Sequence, residues 1–296
     1  MGVVIQASAT TTGTETGALA HAVSAARRCL ERAGVAGEEV GLLLYVGLYR
    51  DDNIVEPAIA ALVQRELGMC LDYAKGGRPG FSFDILNGAC GVLNAVQIAQ
   101  AYLASGQVSR ALVVSADAHP SGHDHDGFPY AASGAALLLG LDERVPGFGR
   151  LYVLDEDDGD DRSAFDVEGF LSFGEAGTSG RKHITVRRDQ AAAARAVALL
   201  STALTRAVSA EGLALDDVVV VTTRWSPGFS AALAAACGVS VERVWSATGW
   251  TKDPVSSALT IAYDDAVRSG RLSAKVPVLF AAVGSGLTTA CVLLRP

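Results

Sequence analysis

The chain has 296 residues, half of them hydrophobic and 19% charged, which is enough apolar material for a sizeable core and too little charge for intrinsic disorder. A formal net charge of −8 excludes a nucleic-acid footprint, which needs a basic face. The five cysteines contain no CxxC pair and read as reduced thiols of a cytoplasmic protein. Apolar runs such as Val276–Val283 fall far short of the roughly 20 residues that a membrane span requires, and Met1–Thr12 lacks the basic-then-apolar pattern of a signal peptide.

Helix and strand patterns alternate from the start. Leu19, Val23, Ala26 and Leu30 recur at helical spacing and predict a helix over Glu15–Ala33. Strand Val40–Val46 follows, then a helix opened by Pro57 and closed near Gly68. Strand Phe81–Leu86 leads into helix Gly91–Ser105, which is apolar on nearly all sides and is therefore expected at the centre of the molecule. Strands Ala111–Ser115 and Ala135–Leu139 complete the first series. Residues Leu141–Asp189 are less regular. The acidic run Asp155–Asp161 lacks the sixth-place glycine of a calcium loop and reads as a solvated turn.

A second series repeats the order. Helix Gln190–Ala210 precedes strand Val218–Val221, helix Gly228–Cys237 and strand Val241–Ser246. Helix Pro254–Arg268 leads to strands Val276–Ala282 and Thr288–Leu294. The two series also rhyme in sequence. Ala33-Gly34-Val35-Ala36 before Glu38-Glu39-Val40 returns as Glu211-Gly212-Leu213-Ala214 before Asp216-Asp217-Val218. Ser105-Gly106-Gln107-Val108-Ser109 returns as Ser269-Gly270-Arg271-Leu272-Ser273. Matched self-similarity of this kind means one unit used twice. The 164-residue offset from Gly106 to Gly270 pairs Ala89 with Asp253, so two helix N-termini should face each other across a pseudo-twofold axis. Their partial positive charge and unpaired N–H groups suit a thiolate or an oxyanion.

Phe83-Asp84-Ile85-Leu86-Asn87-Gly88-Ala89-Cys90-Gly91, with Ser105-Gly106 and Ala111-Leu112-Val113-Val114 after it, resembles the nucleophile region of β-ketoacyl-acyl-carrier-protein synthase III. The helix Ala258–Gly270 is similar to the same family, as is the glycine-rich closing run Val283-Gly284-Ser285-Gly286-Leu287-Thr288. The resemblance covers most of the chain. It implies an α/β thiolase fold in five layers, αβαβα, built from two pseudo-twofold-related halves, here 1–145 and 146–296. It implies a cysteine that takes an acyl group, a histidine and an asparagine that stabilise an enolate, and two backbone N–H groups that hold the thioester oxygen. It calls for no cofactor.

At those positions this chain departs from the pattern. Counting from Phe83-Asp84 or back from Ser105-Gly106 puts the family's cysteine on Ala89, with Cys90 one residue late. Counting from Gly238 puts the histidine on Thr223 and the asparagine on Asp253. Ser285 falls where the family's backbone N–H serves the oxyanion hole. The family's Trp-Ile pair and Arg-Thr-Gly run, which line its coenzyme A entrance, are missing. One residue along a helix turns a side chain by about 100°, so Cys90 reads as packing, with a bulge that swings it into place as the alternative. Asp253 before Pro254 reads as a helix cap. Arg224, beside Thr223, reads either as an anion holder or as half of a structural ion pair. His119, His123 and His125, with Asp124 and Asp126 among them, read as a polar loop near a subunit interface, the alternatives being zinc or a general base. No metal is expected. Arg181, Lys182, Arg187 and Arg188, beside His183, form a basic cluster that reads as a solvated face or as a docking patch for an acidic acyl carrier protein.

The family dimerises by extending its central sheets across the interface. The resemblance with a replaced triad therefore implies a non-catalytic subunit of a fatty-acyl or polyketide-type pathway. Such a subunit would pair with an active synthase-III-like partner as a heterodimer and shape its acyl pocket; a homodimer is the other pairing. The competing reading is a non-decarboxylating acyltransferase or thioesterase that acts on acyl-CoA or acyl-carrier thioesters through Cys90. Neither membrane nor nucleic acid is an expected partner.

Overall fold

The computed structural model describes residues 1–12, 15–69, 80–156, 165–168, 184–188, 192–272, 275–284 and 286–296. Its first mixed sheet has the order β1-β5-β4-β2-β3. These strands are β1 Gly2–Thr12, β2 Leu42–Val46, β3 Phe81–Ile85, β4 Arg110–Asp117 and β5 Ser133–Asp142. β2 runs parallel to β3 and β4, whereas β5 is antiparallel to β1 and β4. The second sheet is ordered β10-β9-β11-β12-β6. It comprises β6 Gly147–Asp155, β9 Val219–Thr222, β10 Val244–Trp245, β11 Val278–Val283 and β12 Thr288–Arg295. Read from its β6 end, it repeats the first sheet strand for strand. A separate hairpin joins β7 Phe165–Glu168 to β8 Thr185–Arg188.

Alternation along the strands sets the layers. In β2, Leu42, Leu44 and Val46 enter the central cluster between the sheets, while Leu43 and Tyr45 face the outer cluster of the first half. In β11, Val278, Phe280 and Ala282 point to that same centre, and Leu279, Ala281 and Val283 point outward. Helices α1 Ala18–Ala33 and α2 Ile59–Glu66 cover the first sheet. Helices α4 Ala192–Ala210 and α5 Phe229–Cys237 cover the second. Between the sheets lie α3 Gly91–Ala104 and α6 Ala258–Arg268, whose Val92, Leu93, Val96, Leu259 and Ala262 join both halves in one core. Five layers, αβαβα, result. No helix among the described residues is long and apolar enough to cross a membrane.

Four expectations need correction. β6 lies in the stretch that lacks a clear pattern. Its pairing with β12 slips between Val292 and Leu294, which puts Phe148 and Leu151, three residues apart, on the same core. That bulge breaks the period of two by which a strand is read. The strand expected over Val241–Ser246 is a 3₁₀ turn, Val241–Arg243, followed by two strand residues; the Ser240 hydroxyl accepts from the Glu242 N–H and starts the turn. α1 begins at Ala18 rather than Glu15, because Gly17 sits at φ 95° and the carboxylate of Asp51 receives the helix's first N–H groups. A side chain at Gly17 would put Cβ 2.4 Å from Asp51 Oδ1. Finally, α6 begins at Ala258 rather than Pro254, after a 3₁₀ turn over Val255–Ser257.

Candidate functional site

α3 is also preceded by a 3₁₀ turn, Gly88–Cys90, and the two turns pack against each other where the halves meet. The expected facing of two helix starts is present, but its register is not the one the 164-residue offset implies. α3 has 14 residues and α6 has 11, so the repeat slips by three between the matched C-termini and the starts. Ser256, rather than Asp253, therefore takes the place opposite Ala89.

Ala89 brings only a methyl group and is 8% exposed. Cys90 turns away into the second half: its Sγ lies 3.6 Å from the Thr288 carbonyl and 3.5 Å from where a Cβ on Gly284 would sit. Burial pushes this thiol up to about 12, against backbone contacts with Gly284 and Ala290 that act the other way. Thr223 follows β9 with its N–H on the Ala281 carbonyl, and its hydroxyl accepts from the Val283 N–H at 3.4 Å. Asp253 Oδ1 accepts from the Val255 N–H at 3.0 Å, so Asp253 caps the 3₁₀ turn and not the α-helix. Ser285 lies outside the described residues; Leu287, two positions on, holds φ at 44°.

Sequence reasoning missed Asp117, at the end of β4. Its carboxylate is fully buried. It accepts from Leu48 N–H (2.8 Å) and Tyr49 N–H (2.9 Å) of the first half and from Ser256 N–H (3.2 Å) of the second. Burial raises its pKa, and these donors oppose the rise. A buried carboxyl group thus meets the start of the second-half turn. The available signal was an acid closing a largely apolar strand, Arg110–Asp117.

Around this junction Tyr49, Phe128, Tyr130, Val186 and Val255 are buried together, with Leu48 and Ile184 against them. Val255, a β-branched residue, sits at φ 28°; such outliers store on the order of 1–3 kcal/mol and cluster at functional sites. Of the three loop histidines, His119, His123 and His125, only His119 is buried. Its Nδ1 pairs with the Ser121 hydroxyl at 2.7 Å and its ring stacks on exposed His125, 5.0 Å between centroids. Exposed His123 joins only through its backbone N–H, which donates to the Ser121 hydroxyl at 3.4 Å. Lys252 ties the loop down through Asp124 at 2.5 Å and the His125 carbonyl at 3.0 Å. Among the described residues, no three His, Cys, Asp or Glu gather as a metal set. Arg224 donates to the Trp250 carbonyl. Arg181, Lys182 and His183 lie outside the described residues, while Arg187 and Arg188 belong to β8.

No protein-family model matches the chain. The β-ketoacyl-[acyl-carrier-protein] synthase III of Rhizobium meliloti is 28% identical over 280 residues, 92% of this chain and 82% of that protein. The enzyme of the same name from Thiobacillus denitrificans is 27% identical over 280 residues, 93% of this chain and 82% of its own length. Among solved structures, 3-oxoacyl-(acyl carrier protein) synthase III of Pseudomonas aeruginosa matches with a TM-score of 0.80 and 19% identity, covering 100% of this chain and 98% of that one. A variant of Xanthomonas campestris OleA matches equally well in fold, TM-score 0.80 at 16% identity, covering 100% and 99%. The strand order, the five layers and these likenesses agree: the chain has the thiolase fold and is similar over most of its length to the β-ketoacyl-acyl-carrier-protein synthase III condensing enzymes.

Proposed function

We propose that this protein is a non-catalytic, synthase-III-like subunit that pairs with an active relative in fatty-acyl or polyketide-type biosynthesis. One feature supports the reading: counted along the resemblance, the family's cysteine, histidine and asparagine fall on Ala89, Thr223 and Asp253. The Thr223 hydroxyl and the Asp253 carboxylate are tied to the backbone N–H groups of Val283 and Val255. A methyl group cannot take an acyl group, and a threonine is no base at neutral pH. Cys90, a thiol beside the junction, is buried and its pKa is raised, the reverse of what an acylated cysteine requires.

The pairing half of the proposal draws on β3. This strand is an edge of its sheet, Phe81 is half exposed, and Leu86 just after it is 61% exposed. An apolar edge with unpaired N–H and C=O groups is a template for another strand. Arg181, Lys182, Arg187 and Arg188 stand in this reading as the docking patch for an acidic carrier protein in the cytoplasm.

Intact-mass analysis after exposure to a panel of acyl-CoA and acyl-carrier thioesters tests the first half, with peptide mapping of any adduct. No adduct is expected on folded protein. An adduct on Cys90 that disappears in Cys90→Ala would restore the acyltransferase or thioesterase reading. Co-expression with active synthase-III-like candidates tests the second half: a stable mixed complex is expected. A homodimer that turns over acyl thioesters unaided would end the proposal.

A further inference from the structure

The aromatic cluster beside the two turns does more than fill space. Its members come from separate stretches of both halves: Tyr49 after β2, Phe128 and Tyr130 between β4 and β5, Val186 on β8, and Val255 in the turn before α6. Tyr49 stacks on Tyr130 at 4.7 Å, and Phe128 meets their edges at 5.1 and 5.4 Å. Leu48, at the base of the cluster, lies 3.3 Å from where a Cβ on Gly88 would sit, next to Ala89. The ring of His119 closes against Phe128 at 5.1 Å.

The cluster is pinned as well as packed. Asp117 holds the Tyr49 N–H on one side and the Ser256 N–H, one residue past Val255, on the other. Ala131 N–H donates to the Asp253 carbonyl at 2.9 Å, which ties the loop bearing Phe128 and Tyr130 to the loop that leads into Val255. Lys252 adds its contacts to Asp124 and His125. Val255 keeps a backbone conformation that a β-branched residue avoids, and by doing so it buries its side chain among the rings.

We propose that Tyr49, Phe128, Tyr130 and Val255 form an internal plug. With the chain's own side chains it occupies the approach to Ala89 that an acyl chain would need, so the wild-type protein takes up no acyl thioester. The inference rests on the reading of the Ala89 junction as the remnant of a condensing-enzyme site. It goes further by assigning loss of binding, beyond loss of chemistry, to named residues.

Decanoyl-CoA is the probe, titrated calorimetrically into wild type, Phe128→Ala and Val255→Gly, with coenzyme A alone as control. Near-ultraviolet circular dichroism checks the fold. Phe128→Ala removes the ring at the centre of the plug. Val255→Gly removes a side chain and its backbone strain together, and so stands in if the larger truncation unfolds. Both variants should bind decanoyl-CoA at least ~10-fold more tightly than wild type, since opening the site removes the penalty of a closed population, and coenzyme A alone should show no such gain. Wild type binding as tightly as the variants would overturn the plug, as would a folded variant that binds no better than wild type. Neither result touches pairing, which the co-expression experiment reads separately.

Discussion

Two buried titratable side chains, Cys90 and His21, carry the residue-scale predictions. With its pKa near 12 and its sulfur packed against the Thr288 carbonyl, Cys90 has almost no thiolate near neutral pH. Its alkylation by iodoacetamide at pH 8 should be at least ~100-fold slower in folded protein than in urea, as peptide mapping over time would read. Comparable rates would mean that the thiol is open to solvent. His21, on α1, is fully buried, with Nδ1 3.0 Å from the Thr11 hydroxyl and Nε2 without a partner. Desolvation lowers its pKa, partly offset by Glu15 and Asp51. Above about pH 6.5 both folded and unfolded chains leave this ring neutral. As the pH falls, the unfolded chain binds a proton that the folded one refuses, and stability drops by up to about 1.4 kcal/mol per pH unit until the folded pKa is reached. Urea midpoints at pH 7.5 and 5 should therefore diverge more for wild type than for His21→Gln. Equal divergence would exclude His21 as the source.

At the scale of elements, two helix starts in this protein are capped from elsewhere in the chain. Asp51 receives the N–H groups of Ala18 and Leu19 at 2.7 and 3.0 Å, and Asp84 those of Ile59 and Ala60 at 3.1 and 2.8 Å. The two caps differ in what else depends on them. Asp84 also pairs with Arg50 at 2.9 Å, and Arg50 is 5% exposed with Nε and Nη2 already unpartnered. Asp51→Ala should cost about 1–2 kcal/mol, the value of a charged helix cap. Asp84→Ala should cost about 3–5 kcal/mol, because it strands a buried guanidinium. Equilibrium urea unfolding of the two variants decides; equal costs would show that Arg50 finds relief elsewhere.

The whole molecule is two copies of one unit joined by a shared central layer, with β3 and β10 in matching edge positions. The edges are not equivalent. β3 has five residues and exposes Phe81, whereas β10 has only two. Association should therefore depend on β3. Phe81→Arg should leave monomer stability within about 0.5 kcal/mol, as surface changes usually do, while abolishing pairing with a synthase partner in sedimentation experiments. Pairing that survives this substitution would place the interface elsewhere.

The sequence by itself determined the duplicated α/β unit and the central placement of Gly91–Ala104, and it carried the resemblance that led to Ala89, Thr223 and Asp253. These are properties of spacing and order along the chain, which periodicity and repeats express directly. Tertiary structure alone decided the rest. Asp51 and Asp84 cap helices whose first turns lie 33 and 25 residues away, and Asp117 reaches Ser256 across 139 residues. The β6 bulge erased the alternation that would have marked that strand, and the three-residue difference between α3 and α6 moved Asp253 off its expected place. A contact between distant residues leaves no trace in local pattern, because the free energy that selects it exists only once the two halves have packed together.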